Sequence, residues 1–164
     1  MWKKIAKEAL ELKNNLPIKY TSREQRFVDY DLHGVMAKNW ILGWTDDPGW
    51  LNFGLIYNRQ PTPFAQEKCP QTMEYLLNIH GDIVVAGFSW LKPMCSIPPH
   101  VDQNPDQITR HLGLIVPEGC YIFCNGEALK EENGKMIKFD SNKLHSAINV
   151  SNEDRIILYI LKEN

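Results

Sequence analysis

A histidine and an aspartate stand two residues apart in "PPHVDQN", His100 and Asp102, and a third candidate donor, His145, follows in "FDSNKLHSAIN". In an extended segment, residues i and i+2 point to the same side, so an imidazole and a carboxylate can converge on one cation. Two histidines and one carboxylate on one face of a metal leave its other positions open for a co-substrate and dioxygen. That is the donor set of non-haem Fe(II) oxygenases. Hydrolytic zinc sites draw on similar sets. A His-x-Asp pair with a distant histidine also arises by chance, so polar loop residues remain the other reading.

Arg155 opens "RIILYIL", the most apolar segment of the chain. Facing outward, it is a solvated edge charge. Facing inward, it needs a carboxylate partner. A dicarboxylate co-substrate with one end on the metal would supply that partner. His145 and Arg155 are an even number of residues apart, which places them on one face of a continuous strand, but "VSNED" between them reads as a turn. Trp44 and Trp50 flank "TDDPG" and either pack in the core or overhang the metal mouth, where they would touch substrate. Gln103 directly follows Asp102 and either contacts substrate or forms the turn before Pro105; Arg110 either faces out or binds an acidic substrate group. Cys120 and Cys124 share a side of one strand at about 13 Å, too far for a disulfide, and read as buried small hydrophobes. His33 and His80 have no ligand-like neighbours and read as surface or loop residues.

The elements that must position these groups are legible in part. Trp2, Ile5, Ala6, Ala9, Leu10 and Leu12 fall at helical spacing, and Asn14, Asn15 and Pro17 end the helix. "CPQTMEYLLNI" predicts a short helix with Pro70 at its first position and a buried stripe of Met73, Leu76 and Leu77. Then the pattern turns to strands: "DIVVAGFSWLK", "HLGLIV", "CYIFC", "KMIKF" and "RIILYIL" alternate with turn signals. Asn133-Gly134 before "KMIKF" predicts a hairpin. Short strands at this spacing, with helices to one side, predict a mainly β sandwich or barrel, a jelly roll first among them.

One domain fits 164 residues, with a mainly helical N-terminal part over 1–43 and a core over 44–164. A formal net charge of −2 argues against nucleic-acid binding and anionic membrane surfaces. No apolar run approaches the roughly 20 residues that span a bilayer. The start, "MWKKIAKEAL", lacks a signal-peptide core, so the expected location is the cytoplasm with thiols free.

From Trp44 to Ile160 the chain resembles the aspartyl/asparaginyl β-hydroxylase family of Fe(II)- and 2-oxoglutarate-dependent dioxygenases. The matching text is "CPQT", "FSWLKP" leading to "PPH", "HLGLIVPEGC", "GKMIKFDSNKLH" and "NVSNEDRIILYI", in that order. The resemblance implies a double-stranded β-helix, a cupin-like jelly roll, holding metal and co-substrate at its open end. It implies iron on His100, Asp102 and His145, the far carboxylate of 2-oxoglutarate on Arg155, and its metal-proximal end near Ser89 and His111. Two positions depart from the pattern. Thr109 stands where the family usually has an arginine, with Arg110 beside it, and Met94 stands where a glycine is favoured. The expected activity is hydroxylation of an unactivated C–H of an amino acid, an aspartyl or asparaginyl peptide residue or a related small acid, consuming O2 and releasing succinate and CO2. The substrate is then a small molecule or a peptide, with Gln103, Arg110 and Trp50 as candidate contacts. The alternative is a non-catalytic or zinc-dependent metal-binding jelly-roll module.

Overall fold

The structure, a computed structural model, describes residues 1–19, 39–79 and 81–163. The elements run α1 (Trp2–Asn15), β1 (Ile18–Lys19), β2 (Trp40–Leu42), β3 (Trp50–Tyr57), β4 (Gln60–Pro61), α2 (Pro63–Lys68), α3 (Pro70–Leu77), β5 (Ile83–Leu91) and β6 (Cys95–His100). They continue with β7 (Gln107–Ile115), β8 (Cys120–Cys124), β9 (Glu127–Lys130), β10 (Met136–Phe139), β11 (His145–Asn149) and β12 (Arg155–Glu163). The larger sheet has the order β1-β2-β3-β5-β12-β7-β10, with β4 paired to β3, and the smaller has the order β6-β11-β8-β9. Among the described residues every pairing apart from β1–β2 is antiparallel. The two sheets face each other as a jelly roll, a double-stranded β-helix. Within residues 1–43 the described part is one helix and two short strands, which join the larger sheet.

Alternation along the central strands sorts their side chains between two cores. On β12, Ile156, Leu158 and Ile160 face the helices and join a cluster with Phe53, Phe88, Trp40, Ile5 and Leu76. The opposite face of the same strand carries Arg155, Tyr159 and Leu161 toward the space between the sheets. There a second, smaller cluster of Leu91, Ile97, Ile122, Cys124, Ile137, Phe139 and Ala147 joins the sheets. The helices are tied together by Glu8 of α1. Its buried carboxylate accepts hydrogen bonds from the Thr72 backbone N–H at 2.7 Å, the Thr72 hydroxyl at 2.6 Å and the Gln71 N–H at 3.0 Å. An acid from one helix thus caps the N-terminus of another, where unpaired N–H groups favour negative charge.

Several sequence expectations need correction. Leu10 and Leu77 belong to the helical stripes by spacing but are 40% and 67% exposed, while Thr72 is buried in place of the second. Asn133-Gly134 does not close a hairpin: β9 pairs with β8, β10 pairs with β7, and residues 131–135 cross from the smaller sheet to the larger. Two-residue hairpins lie instead at Asn125-Gly126, with φ values of 50° and 84°, and at Asn58-Arg59, with 48° and 67°, which match the mirror-image turn that suits paired strands. All four cysteines are free, and burial raises the Cys120 thiol to about 11. His33 and His80 lie outside the described residues. No helix among the described residues is long and apolar enough to cross a membrane.

Candidate active site

His100 ends β6 and His145 begins β11, and the two are direct cross-strand partners. Their rings lie 4.1 Å apart, centroid to centroid. Asp102, just past β6, is held by a hydrogen bond from its N–H to the Ser141 carbonyl at 2.9 Å. Its carboxylate oxygens lie 3.7 Å from His100 Nε2 and 3.4 Å from His145 Nε2. Two donors each about 2.1 Å from one ion at a right angle sit about 3.0 Å apart; the three donor atoms all lie within 4.8 Å of one another, so drawing them together closes them on a cation.

The tautomers agree with that use. His100 Nδ1 lies 2.7 Å from the Pro98 carbonyl and His145 Nδ1 lies 2.8 Å from the Lys143 carbonyl. An N–H donated to each carbonyl fixes the proton on Nδ1 and turns the Nε2 lone pair inward, the outer-shell pattern of metal-ligating histidines. Burial works to lower the His145 pKa. The Asp102 hydrogen bond, the Lys143 carbonyl and the charges of Asp102 and Asp140 outweigh it and hold the pKa above the ordinary imidazole value. A cation bound here would displace that proton. Asn142 steadies the Asp102 loop by bonding the Asn104 backbone in both directions, at 2.8 and 2.9 Å.

The three donors open on a cavity of about 410 Å³ between the sheets, within the usual range for small-ligand sites. Its opposite wall is the inner face of the larger sheet: Asn52, Ser89, Thr109, His111, Arg155 and Tyr159 all line it. Ser89 accepts a hydrogen bond from Trp50 Nε1 at 3.0 Å, so its own hydroxyl proton is free to donate. Burial, with help from the Arg155 and His145 charges, pushes the His111 pKa well below normal, so this imidazole stays neutral. Arg155 is fully buried and paired with the buried Glu131 through three hydrogen bonds of 2.9–3.0 Å, from Nε and Nη2. Its Nη1 has no partner, nor has His111 Nδ1. Two orphaned buried polar atoms on one cavity wall suit a ligand with hydrogen-bonding oxygens.

The structure therefore brings His100, Asp102, His145, Ser89, His111, Arg155 and Trp50 to one cavity. It does not bring Arg110 or Gln103. Arg110 pairs in register with Ile160 and Lys138 on the face of β7 opposite Thr109 and His111. The irregularity in the β7–β12 pairing falls at Ile156/Ile157, too far along to turn Arg110 inward. Gln103 is exposed, and Asn104 takes the cavity position instead. The partner expected for Arg155 was a co-substrate; the protein itself supplies one in Glu131. Trp44 packs its edge against His100, ring centroids 5.0 Å apart, at the cavity mouth. Trp44 thus takes the mouth position, one of the two expected for it, whereas Tyr159 was unforeseen but findable: it lies four residues after Arg155 on one strand and so shares its face. Gly87 makes room for it, since an added Cβ would come within 2.6 Å of its hydroxyl. Thr109 turns inward as well, donating to the Ser141 hydroxyl at 2.9 Å.

A family model described as aspartyl/asparaginyl beta-hydroxylase matches residues 1–163. Uncharacterized protein L888 of Acanthamoeba polyphaga mimivirus is 33% identical over 135 residues, covering 79% of this chain and 49% of that protein. The ornithine lipid ester-linked acyl 2-hydroxylase of Rhizobium tropici is 28% identical over 117 residues, covering 70% of this chain and 41% of its own. An HTH_3 family transcriptional regulator from Vibrio cholerae has a similar fold, with a TM-score of 0.55 at 14% identity, covering 83% of this chain and 62% of that one. The chain spans half or less of the length of these curated relatives.

Proposed function

The chain belongs to the aspartyl/asparaginyl β-hydroxylase family, and from that premise we propose that it is an Fe(II)- and 2-oxoglutarate-dependent hydroxylase. The observation that carries the reading is the pairing of two features across one cavity. One wall holds a His-Asp-His donor set with inward lone pairs, and the other holds a buried arginine with its Nη1 unspent.

His100, Asp102 and His145 would hold the ion, oriented by the Pro98, Lys143 and Ser141 carbonyls. Fe(II) with 2-oxoglutarate and O2 supplies the oxidising power to hydroxylate an unactivated C–H, with succinate and CO2 released. Arg155 Nη1 would donate to the far carboxylate of the co-substrate. The Ser89 hydroxyl and the neutral His111 stand ready for its 2-oxo acid end. Ile97, Ile122 and Phe139 line the cavity beside these groups and exclude water. For the substrate we propose an amino acid or related small acid first and an aspartyl or asparaginyl peptide residue second. The acyl chain named for the Rhizobium relative is a third class to screen. Asn52 and Asn104 offer amide groups to a polar substrate end, and Trp44 offers an apolar edge at the mouth.

A zinc-dependent or non-catalytic metal module has no use for a dicarboxylate grip. The deciding experiment is an anaerobic titration of metal-free protein with Fe(II), then 2-oxoglutarate, followed by visible absorbance. A weak charge-transfer band that needs both additions, and is lost in His145→Ala, supports the reading. Bound Fe(II) with no such band overturns it in favour of the zinc or non-catalytic module.

A further inference from the structure

We propose that Glu131 is a positioning residue for the co-substrate: it grips the Arg155 guanidinium from behind so that one nitrogen, Nη1, is left to be presented to the cavity. This rests on the reading of the cavity as a 2-oxoglutarate site. Arg155 is 0% exposed and Glu131 is 3% exposed. The carboxylate takes Nε at 3.0 Å and Nη2 at 2.9 and 3.0 Å, a two-pronged grip that fixes the plane of the guanidinium. Nη1 is left buried, without a partner, on a residue that lines the cavity.

A pair with a purely structural task gains little. Buried ion pairs are weak stabilisers, and an unpaired buried donor is a cost that a structural pair has no reason to carry. The arrangement makes sense when a ligand carboxylate completes the guanidinium. With its charge already shared with Glu131, Arg155 then holds that carboxylate through one nitrogen instead of a two-nitrogen fork. The far end of the cavity is neutral before the ligand arrives, which disfavours capture of stray anions without a metal-chelating head.

Glu131 reaches this place from the other sheet. It follows β9 in the segment that crosses to β10, with its own N–H bonded to the Cys120 carbonyl at 3.0 Å. The crossing is tied to β7 on both sides of Gly113, by Gly113 N–H to Lys135 O at 3.0 Å and Gly134 N–H to Gly113 O at 2.8 Å.

The test measures anaerobic affinities of the Fe(II)-loaded protein for 2-oxoglutarate and for 2-oxobutyrate, which keeps the 2-oxo acid end and lacks the far carboxylate. The ratio of the two constants isolates the Arg155 end. Glu131→Gln is expected to cut that ratio about tenfold, the scale of one charge-assisted bond, with the 2-oxobutyrate constant unchanged. Glu131→Asp keeps the charge but falls a methylene short, and is expected to do the same; it replaces Glu131→Gln if that variant does not fold. An unchanged or increased ratio in both variants, while Arg155→Ala collapses it, overturns the role of Glu131 alone. A parallel loss of both affinities also overturns it, because that is general damage. A wild-type ratio near one, or one that Arg155→Ala leaves intact, overturns the co-substrate reading and this inference with it.

Discussion

Gly113→Ala should damage the Arg155 end of the cavity without changing any charged residue. A Cβ at Gly113 would sit 1.9 Å from the Glu132 carbonyl oxygen and 2.8 Å from its carbon. Ordinary contact begins near 3.4 Å, so the carbonyl must retreat by about 1.5 Å. The obstacle is backbone, so no rotamer change relieves it. The carbonyl belongs to the residue after Glu131, whose grip on Arg155 stands at 2.9–3.0 Å. A displacement of that size takes the grip beyond hydrogen-bonding range. Overpacking of this kind costs about 1–3 kcal/mol, and loosening a buried pair adds to it. We expect a loss of about 2–4 kcal/mol, seen as a Tm lower by about 5–15 °C for a chain of this length, with weaker 2-oxoglutarate binding at temperatures where the protein remains folded. Gly126→Ala is the control. It has a φ of +84° but nothing within 4 Å of an added Cβ, so it bears only the left-handed strain of about 1 kcal/mol. If Gly113→Ala melts with Gly126→Ala and binds 2-oxoglutarate as the wild type does, the 131–135 crossing does not hold Glu131 in the way argued.

Asp102→Ala should weaken Fe(II) binding by about 100-fold or more, since losing even an outer-shell partner costs 10–100-fold; metal titration with a circular-dichroism check of the fold decides it, and unchanged affinity would leave the two histidines as the whole site. His111 is held neutral by burial and by the Arg155 and His145 charges. Its folded pKa is lowered, so as pH falls below about 6.5 the unfolded chain takes up a proton that the folded chain refuses, and stability drops. His111→Asn should flatten that acid limb of the stability curve, and an identical curve would remove His111 as its cause. Met94 has a φ of 58° and is 69% exposed. Met94→Gly should raise stability by up to about 1 kcal/mol, read as a higher denaturation midpoint, because glycine adopts this backbone without strain.

The candidate metal donors were readable in part: spacing put His100 and Asp102 on one side of an extended segment, and the resemblance added His145 to the set. Parity also warned that Arg110 and Thr109 face opposite ways, and the cavity takes Thr109. What stayed hidden depends on which strands meet. Asn133-Gly134 and Asn125-Gly126 carry the same local turn chemistry, and nothing within either dipeptide says that one joins paired strands while the other bridges two sheets. Glu131 was lost with that misreading: in "LKEENGK" it looks like one more acid in a polar turn, and only the crossing brings it to Arg155. Leu77 was misassigned for a simpler reason. A stripe of helical spacing is wider than the contact surface a two-turn helix presents.

The division of the site between the sheets has a mechanical consequence. The candidate ion donors His100 and His145 sit on the smaller sheet, whereas Ser89, His111 and Arg155 sit on the larger one. On the proposed function, a co-substrate that chelates the metal and reaches Arg155 would have to span the gap, so the separation of the sheets would set which chain length fits. That separation is set by the cluster of Leu91, Ile97, Ile122, Ile137, Phe139 and Ala147, and by the 131–135 crossing. Ile122 is the informative position, being 1% exposed, inside that cluster and on the cavity wall at once. Ile122→Ala should cost about 2–5 kcal/mol as a cavity-forming change. If the sheets set the fit, its surviving folded fraction should bind 2-oxoglutarate more weakly relative to its homologue one methylene longer. A ratio equal to that of the wild type, measured at a temperature where both are folded, would show that the side chains at the two ends, and not the spacing between sheets, choose the co-substrate.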